Sequence, residues 1–78
     1  MMTVQLFGVV AELFDTDRLS CDLPSDATVA QLRRHLLGLE PQLAGIQYAV
    51  ALNHAIADDS VTIPDRADIA VLPPFAGG

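Results

Sequence analysis

The chain has 78 residues, about half of them apolar, with ten acidic groups set against four arginines and no lysine. That length holds one domain with a single modest core, and that apolar content argues against disorder. The net charge of −6 argues against nucleic acid, which needs clustered cations to displace counterions, and against an anionic membrane surface; a basic partner groove is the better electrostatic match.

Taken in order, Thr3 to Gly8 alternates as a strand, with Val4 and Leu6 on one face and Gln5 and Phe7 on the other. Gly8 breaks the alternation. Val9 to Phe14 fits a short helical turn with Val10, Leu13 and Phe14 inward, and Asp15-Thr16-Asp17 is turn material. Arg18 to Leu23 predicts a second strand with Leu19, Cys21 and Leu23 on one face. Thr28 is placed to cap a helix, and Gln31, three residues on, completes a capping box. Val29, Leu32, Leu36, Leu39 and Leu43 then recur at helical spacing as the inward face. Arg33-Arg34-His35 reads as a solvated outer face. Gly38 weakens the helix, and Pro41 either ends it or opens a second short turn.

Tyr48 to Leu52 predicts a third strand, Asn53-His54 a turn, and Ala55-Ile56-Ala57 a brief return strand. Pro64 to Asp68 forms another turn before a last strand, Ile69 to Leu72. Strand, strand, helix, strand, short strand, strand is an α+β pattern, one main helix packed across one curved mixed sheet. It is the β-grasp arrangement of ubiquitin-like proteins. The last strand is expected centrally beside the first, on the reading that both are apolar on both faces.

After Leu72 the sequence runs Pro73-Pro74-Phe75-Ala76-Gly77-Gly78. The prolines carry no N–H, so strand pairing stops there, and each drives its predecessor toward extended geometry. Gly77 and Gly78 have no Cβ and can pass through a channel too narrow for a side chain. From Phe75 on, the arm reaches roughly 13 Å at about 3.3 Å per residue. The expected organisation is a folded domain over 1–74 and a flexible Gly-Gly tail over 75–78 that ends in a free carboxylate.

No Walker loop, GxGxxG, HExxH or GxSxG stretch occurs, and no catalytic residue is assigned. Cys21 is the only cysteine; it supports neither a disulfide framework nor a metal cluster and reads as a small buried hydrophobe. Asp58-Asp59 and Asp65 with Asp68 offer oxygen ligands without EF-hand spacing and read as solvated acidic loops, so no metal is expected. His35 and His54 read as surface side chains. Met1-Met2-Thr3-Val4 lacks the features of a signal peptide, and no apolar run reaches membrane-spanning length, so a cytoplasmic protein is expected.

The segment Val71-Leu72-Pro73-Pro74-Phe75-Ala76-Gly77-Gly78 resembles the C-terminus of the MoaD/ThiS sulfur carriers, most closely the small subunit of molybdopterin synthase. Leu6-Phe7-Gly8 with Glu12-Leu13, Thr28 to Leu32, and Ala51-Leu52-Asn53 resemble the same family in the right order over the whole chain. The resemblance implies that Gly78 is adenylated and then converted to a thiocarboxylate that donates sulfur to a pterin precursor of the molybdenum cofactor. ATP would be used by the activating enzyme, of the MoaB/MoeB/ThiF kind, with no cofactor bound permanently. A larger MoaE-like subunit of molybdopterin synthase would be the second partner. Gly77 would thread the enzyme tunnel, Pro73, Pro74, Phe75 and Ala76 would position the arm, and Leu72 and Phe75 would help it dock. The chain departs from the family at Ala11, where an arginine is common, and at Asp65-Arg66-Ala67-Asp68, where Asp-Gly-Asp is frequent. Alternatives are a carrier for thiamine or cysteine synthesis, a ubiquitin-like protein modifier, and a β-grasp interaction module with an inert tail.

Overall fold

The computed structural model describes residues 2–73; Met1 and residues 74–78 lie outside the described residues. Strand β1 (Met2–Leu6) leads into helix α1 (Gly8–Phe14), then strand β2 (Arg18–Cys21) and the main helix α2 (Val29–Leu39). A short 3₁₀ helix (Pro41–Gly45), strands β3 (Ala49–Leu52) and β4 (Ala55–Ala57), and strand β5 (Ile69–Leu72) follow. The sheet order is β2-β1-β5-β3-β4. β1 and β5 run parallel, and the remaining neighbours are antiparallel. This is the expected β-grasp fold, with the last strand at its centre.

The reason for that central place differs from the expected one. β5 is apolar on both faces, as expected, but β1 is apolar on one only, with Thr3 and Gln5 on the other. Val4, Leu6, Ile69 and Val71 are buried, whereas Gln5 is exposed and Ala70 half-buried. Registers Leu6↔Val71↔Val50 and Val4↔Ile69↔Leu52 carry one buried row after another across the sheet. Val29, Leu32 and Leu36 of α2 and Val10 of α1 join these residues in one core. Burying each such side chain removes it from water for roughly 1.5–3 kcal/mol.

α2 begins as its sequence dictates. Thr28 has extended backbone, its Oγ1 accepts from Gln31 N–H at 3.4 Å, and Thr28 N–H donates to Gln31 Oε1 at 2.8 Å. The helix passes through Gly38 and stops at Leu39. Glu40 is extended, and Pro41 opens the 3₁₀ helix, whose Gln42 N–H is capped by Glu40 Oε2 at 3.3 Å. Leu39 was expected inward but is 53% exposed, because the chain leaves the helix axis there and Leu43 fills the core instead. The strands are also shorter than expected: Phe7, Leu23 and Tyr48 stand outside them.

Candidate functional site at the root of the tail

β5 is hydrogen-bonded on both sides, to β1 and to β3, and hands the chain to Pro73. The final pairs are Leu6↔Val71 on one side and Ala49↔Leu72 on the other. One further bond extends the β1 side, since Phe7 N–H donates to Val71 O at 3.1 Å. A segment clamped between two neighbours has little freedom to slide, so the root of the tail is fixed in the frame of the sheet.

Of the residues expected to position or dock the tail, Leu72 and Pro73 are both half-buried at this root. Pro73 packs on Gly8. Pro74, Phe75, Ala76, Gly77 and Gly78 lie outside the described residues.

Beside the root, the outward face of the sheet forms a shallow groove of about 440 Å³, lined by Gln5, Phe7, Ile56, Ala70 and Leu72 among others. Its floor follows the register Gln5↔Ala70↔Ala51↔Ile56 across four strands. Phe7 is 43% and Ile56 60% exposed. Large apolar side chains gathered on a sheet face that no described residue covers make this a candidate interaction surface. The sequence placed Phe7 outward but did not join it to Ile56, because the two meet only through the strand order.

Of the groups that could do chemistry, His54 and Asp68 line one end of this groove, whereas Cys21 and Asp58 are not among its lining residues. Cys21 is fully buried, and that burial pushes its thiol up from the ordinary value. His54 Nε2 stands 3.8 Å from Asp68 Oδ2 at a highly exposed turn. Asp58 Oδ1 accepts from Ser60 N–H at 3.0 Å and from Ser60 Oγ at 2.6 Å, bonds that lower its carboxyl from the ordinary value. Among the described residues, no three His, Cys, Asp or Glu side chains are grouped to hold a metal ion. No helix among the described residues is long and apolar enough to cross a membrane.

A family model, the ThiS family, matches residues 4–78. The chain belongs to the ThiS family of sulfur carriers. The molybdopterin synthase sulfur carrier subunit of Arabidopsis thaliana is 31% identical to this carrier over 77 residues, covering 96% of this chain and 80% of the relative. Among solved structures, SAMP1 from Haloferax volcanii is similar with a TM-score of 0.80 and 24% identity, covering 97% of each chain. A chain of the Amycolatopsis orientalis BexX/CysO complex is similar with a TM-score of 0.74 and 16% identity, covering 97% of this chain and 98% of that one. At those identities the two structures bear on the carrier's fold alone.

Proposed function

We propose that this carrier is the small subunit of a molybdopterin synthase and that Gly78 is the residue that bears the sulfur. The observation that carries the reading is structural. The central strand β5, held on both sides, delivers the chain at Pro73, beside an apolar groove that no described residue covers, and Pro74-Phe75-Ala76-Gly77-Gly78 follow in sequence. The likeness to the Arabidopsis subunit supports this pathway over other sulfur pathways.

The chemistry follows from the terminus. A carboxylate is a poor electrophile. Its oxygen attacks the α-phosphorus of ATP, pyrophosphate leaves, and the resulting mixed anhydride carries AMP as a good leaving group. A hydrosulfide-level sulfur supplied by a donor then adds to the carbonyl carbon, AMP departs, and the thiocarboxylate remains. The carrier contributes placement: a narrow glycine pair that enters the partner's tunnel, an apolar groove that docks, and a charge of −6 that suits a basic partner surface. The partners are an ATP-dependent activating enzyme and a larger pterin-binding subunit.

Intact-mass measurement tests the reading. With the activating enzyme, ATP and a sulfur donor, the mass rises by the exchange of one oxygen for one sulfur. Deletion of Gly78 abolishes that rise and leaves the circular dichroism spectrum unchanged. Co-purification with a pterin-binding larger subunit supports the molybdopterin pathway; recovery of a thiazole synthase or cysteine synthase instead would overturn it.

A further inference from the structure

We infer that Gly8 is a positioning residue for the tail: it is the seat on which Pro73 rests, and it sets the direction in which the chain leaves the sheet. The inference rests on the function proposed above. A Cβ placed on Gly8 would lie 2.9 Å from Pro73 Cγ, 3.3 Å from its Cβ and 3.6 Å from its Cδ. The first of these distances is shorter than real Cβ atoms tolerate, so a side chain at position 8 has to displace the proline ring. The neighbouring residue fixes the other side of the same joint, through the bond from Phe7 N–H to Val71 O. Proline has a locked φ, and the Pro74 that follows disfavours the α region at Pro73, so seating the ring constrains the direction in which the chain leaves Pro73.

Backbone conformation favours glycine here, since a Cβ is strained at positive φ, but does not by itself require it. Gly8 has φ +57, but Asp15, Asn53, His54 and Arg66 hold φ values of 57, 51, 71 and 60 in the same chain. A left-handed residue is therefore accommodated four times with a side chain attached. What sets position 8 apart is the contact. A Cβ at Gly38 or Gly45 would meet nothing within 4 Å. Gly8 is the described glycine whose missing side chain is filled by another part of the protein, and that part is the root of the tail.

The test is Gly8→Ala, assayed with the MoeB-type activating enzyme and ATP by pyrophosphate release. No groove-lining side chain is replaced in this variant, so KM is expected to stay near the parent value, whereas the carboxylate is misaimed and kcat falls roughly 10- to 100-fold, the cost of a displacement on the order of 1 Å. Partial unfolding gives a different signature. The carrier is the substrate, so a smaller folded fraction raises apparent KM and leaves kcat alone. Pro73→Ala removes the ring atom that clashes most, so in that background Gly8→Ala brings kcat to within about twofold of Pro73→Ala by itself.

A second readout needs no enzyme. Residual dipolar couplings of the amides of Phe75 to Gly78 change in Gly8→Ala and stay as they were in Gly38→Ala. An unchanged kcat, a loss that persists in full beside Pro73→Ala, or couplings that do not move in Gly8→Ala overturn the inference. If the unsubstituted carrier is never adenylated, the proposed function fails, and the couplings still decide the role of Gly8.

Discussion

The guanidinium of Arg33, on α2, lies 4.5 Å from the centroid of the Tyr48 ring at the entrance to β3. Its Nη2 donates to Tyr48 O at 3.3 Å. Its Nε is 2.8 Å from Asp59 Oδ1, an ion-pair distance without the angle of a hydrogen bond. One side chain thus ties the helix to the start of a strand and to the 58–60 loop. The sequence put Arg33 on a solvated face, yet it is only 30% exposed, with its stem lying along apolar surface as arginine allows. Arg33→Ala should lower stability by about 1 kcal/mol, from a cation–π contact of about 0.5–1 kcal/mol and an exposed ion pair that adds little. In a domain of this size that is a fall in Tm of roughly 4–8 °C. Thermal melts of the two proteins that coincide would remove Arg33 from the list of stabilising contacts.

The same pair gives a pH dependence. Burial raises the Tyr48 phenol above its ordinary value, while the charge of Arg33 pulls it back in part. The phenol is neutral when protonated, so a raised folded-state value favours the protonated native form. Its contribution to stability is complete below the ordinary value of 10.0 and is lost as pH rises through the folded-state value. Tyr48 is the only tyrosine and there is no tryptophan, so the ultraviolet phenolate band reports this residue alone. In Arg33→Ala the midpoint of that band should move to higher pH; a move to lower pH contradicts the assignment.

How much of this was legible beforehand depended on the range of each interaction. The cap at Thr28 and Gln31 is local, written in four residues, and the structure reproduces it. The alternation in β1 is also local, so the inward pair Val4 and Leu6 could be read directly, whereas Ile69 to Leu72 is apolar throughout and only the sheet shows that Ile69 and Val71 are the buried ones. Leu39 could not, because the end of α2 is decided by Pro41 while helical periodicity continues across it. Arg33 and Tyr48 are fifteen residues apart, and only the crossing of α2 over the sheet brings them together. Gly8 showed as a break in a strand, but its partner, Pro73, lies at the far end of the sequence. The apolar groove was hidden for the same reason, since Phe7, Ile56 and Leu72 share a face only once β5 enters between β1 and β3.

Arg66 shows how the turn before β5 manages without the glycine common in the family. It holds φ +60, so the left-handed turn is retained by a residue with a side chain. Such backbone is strained for a residue with a Cβ, and glycine relieves it at some cost in unfolded-state entropy. Arg66→Gly should therefore raise stability by roughly 0.5–1 kcal/mol, seen as a higher urea midpoint with unchanged slope. A lower midpoint would mean that the Arg66 side chain makes a contact worth more than the strain.

Ile56 tests the groove. It is 60% exposed on β4 and stands opposite Ala51, so truncation removes little from the core. Ile56→Ala should leave the melting temperature within a few degrees of the parent. It should weaken binding to the activating enzyme or the larger subunit by roughly 5- to 30-fold, the range of a moderate interface anchor. Titration calorimetry separates the two effects. Unchanged affinity for both partners would show that docking uses another face.

Cys21 is the remaining group that invites a role in sulfur handling, and its environment argues the reverse. It is fully buried on β2, paired in register with Met2 at the opposite end of β1 from Leu6 and the Val71 pairing. Burial holds the thiol in its protonated form, and the thiolate is the species that attacks. The stabilisation tied to the neutral thiol is complete below the ordinary value of 9.0 and fades as pH rises through the higher folded-state value. In the native carrier the thiol should resist alkylation at neutral pH and react once denaturant is added. Cys21→Ala should cost roughly 1–2 kcal/mol for the small void it leaves. The folded variant should take up sulfur at Gly78 as fully as the parent by intact mass. A folded Cys21→Ala protein that gains no sulfur would place the cysteine on the transfer route and remove Gly78 from its position as sole acceptor.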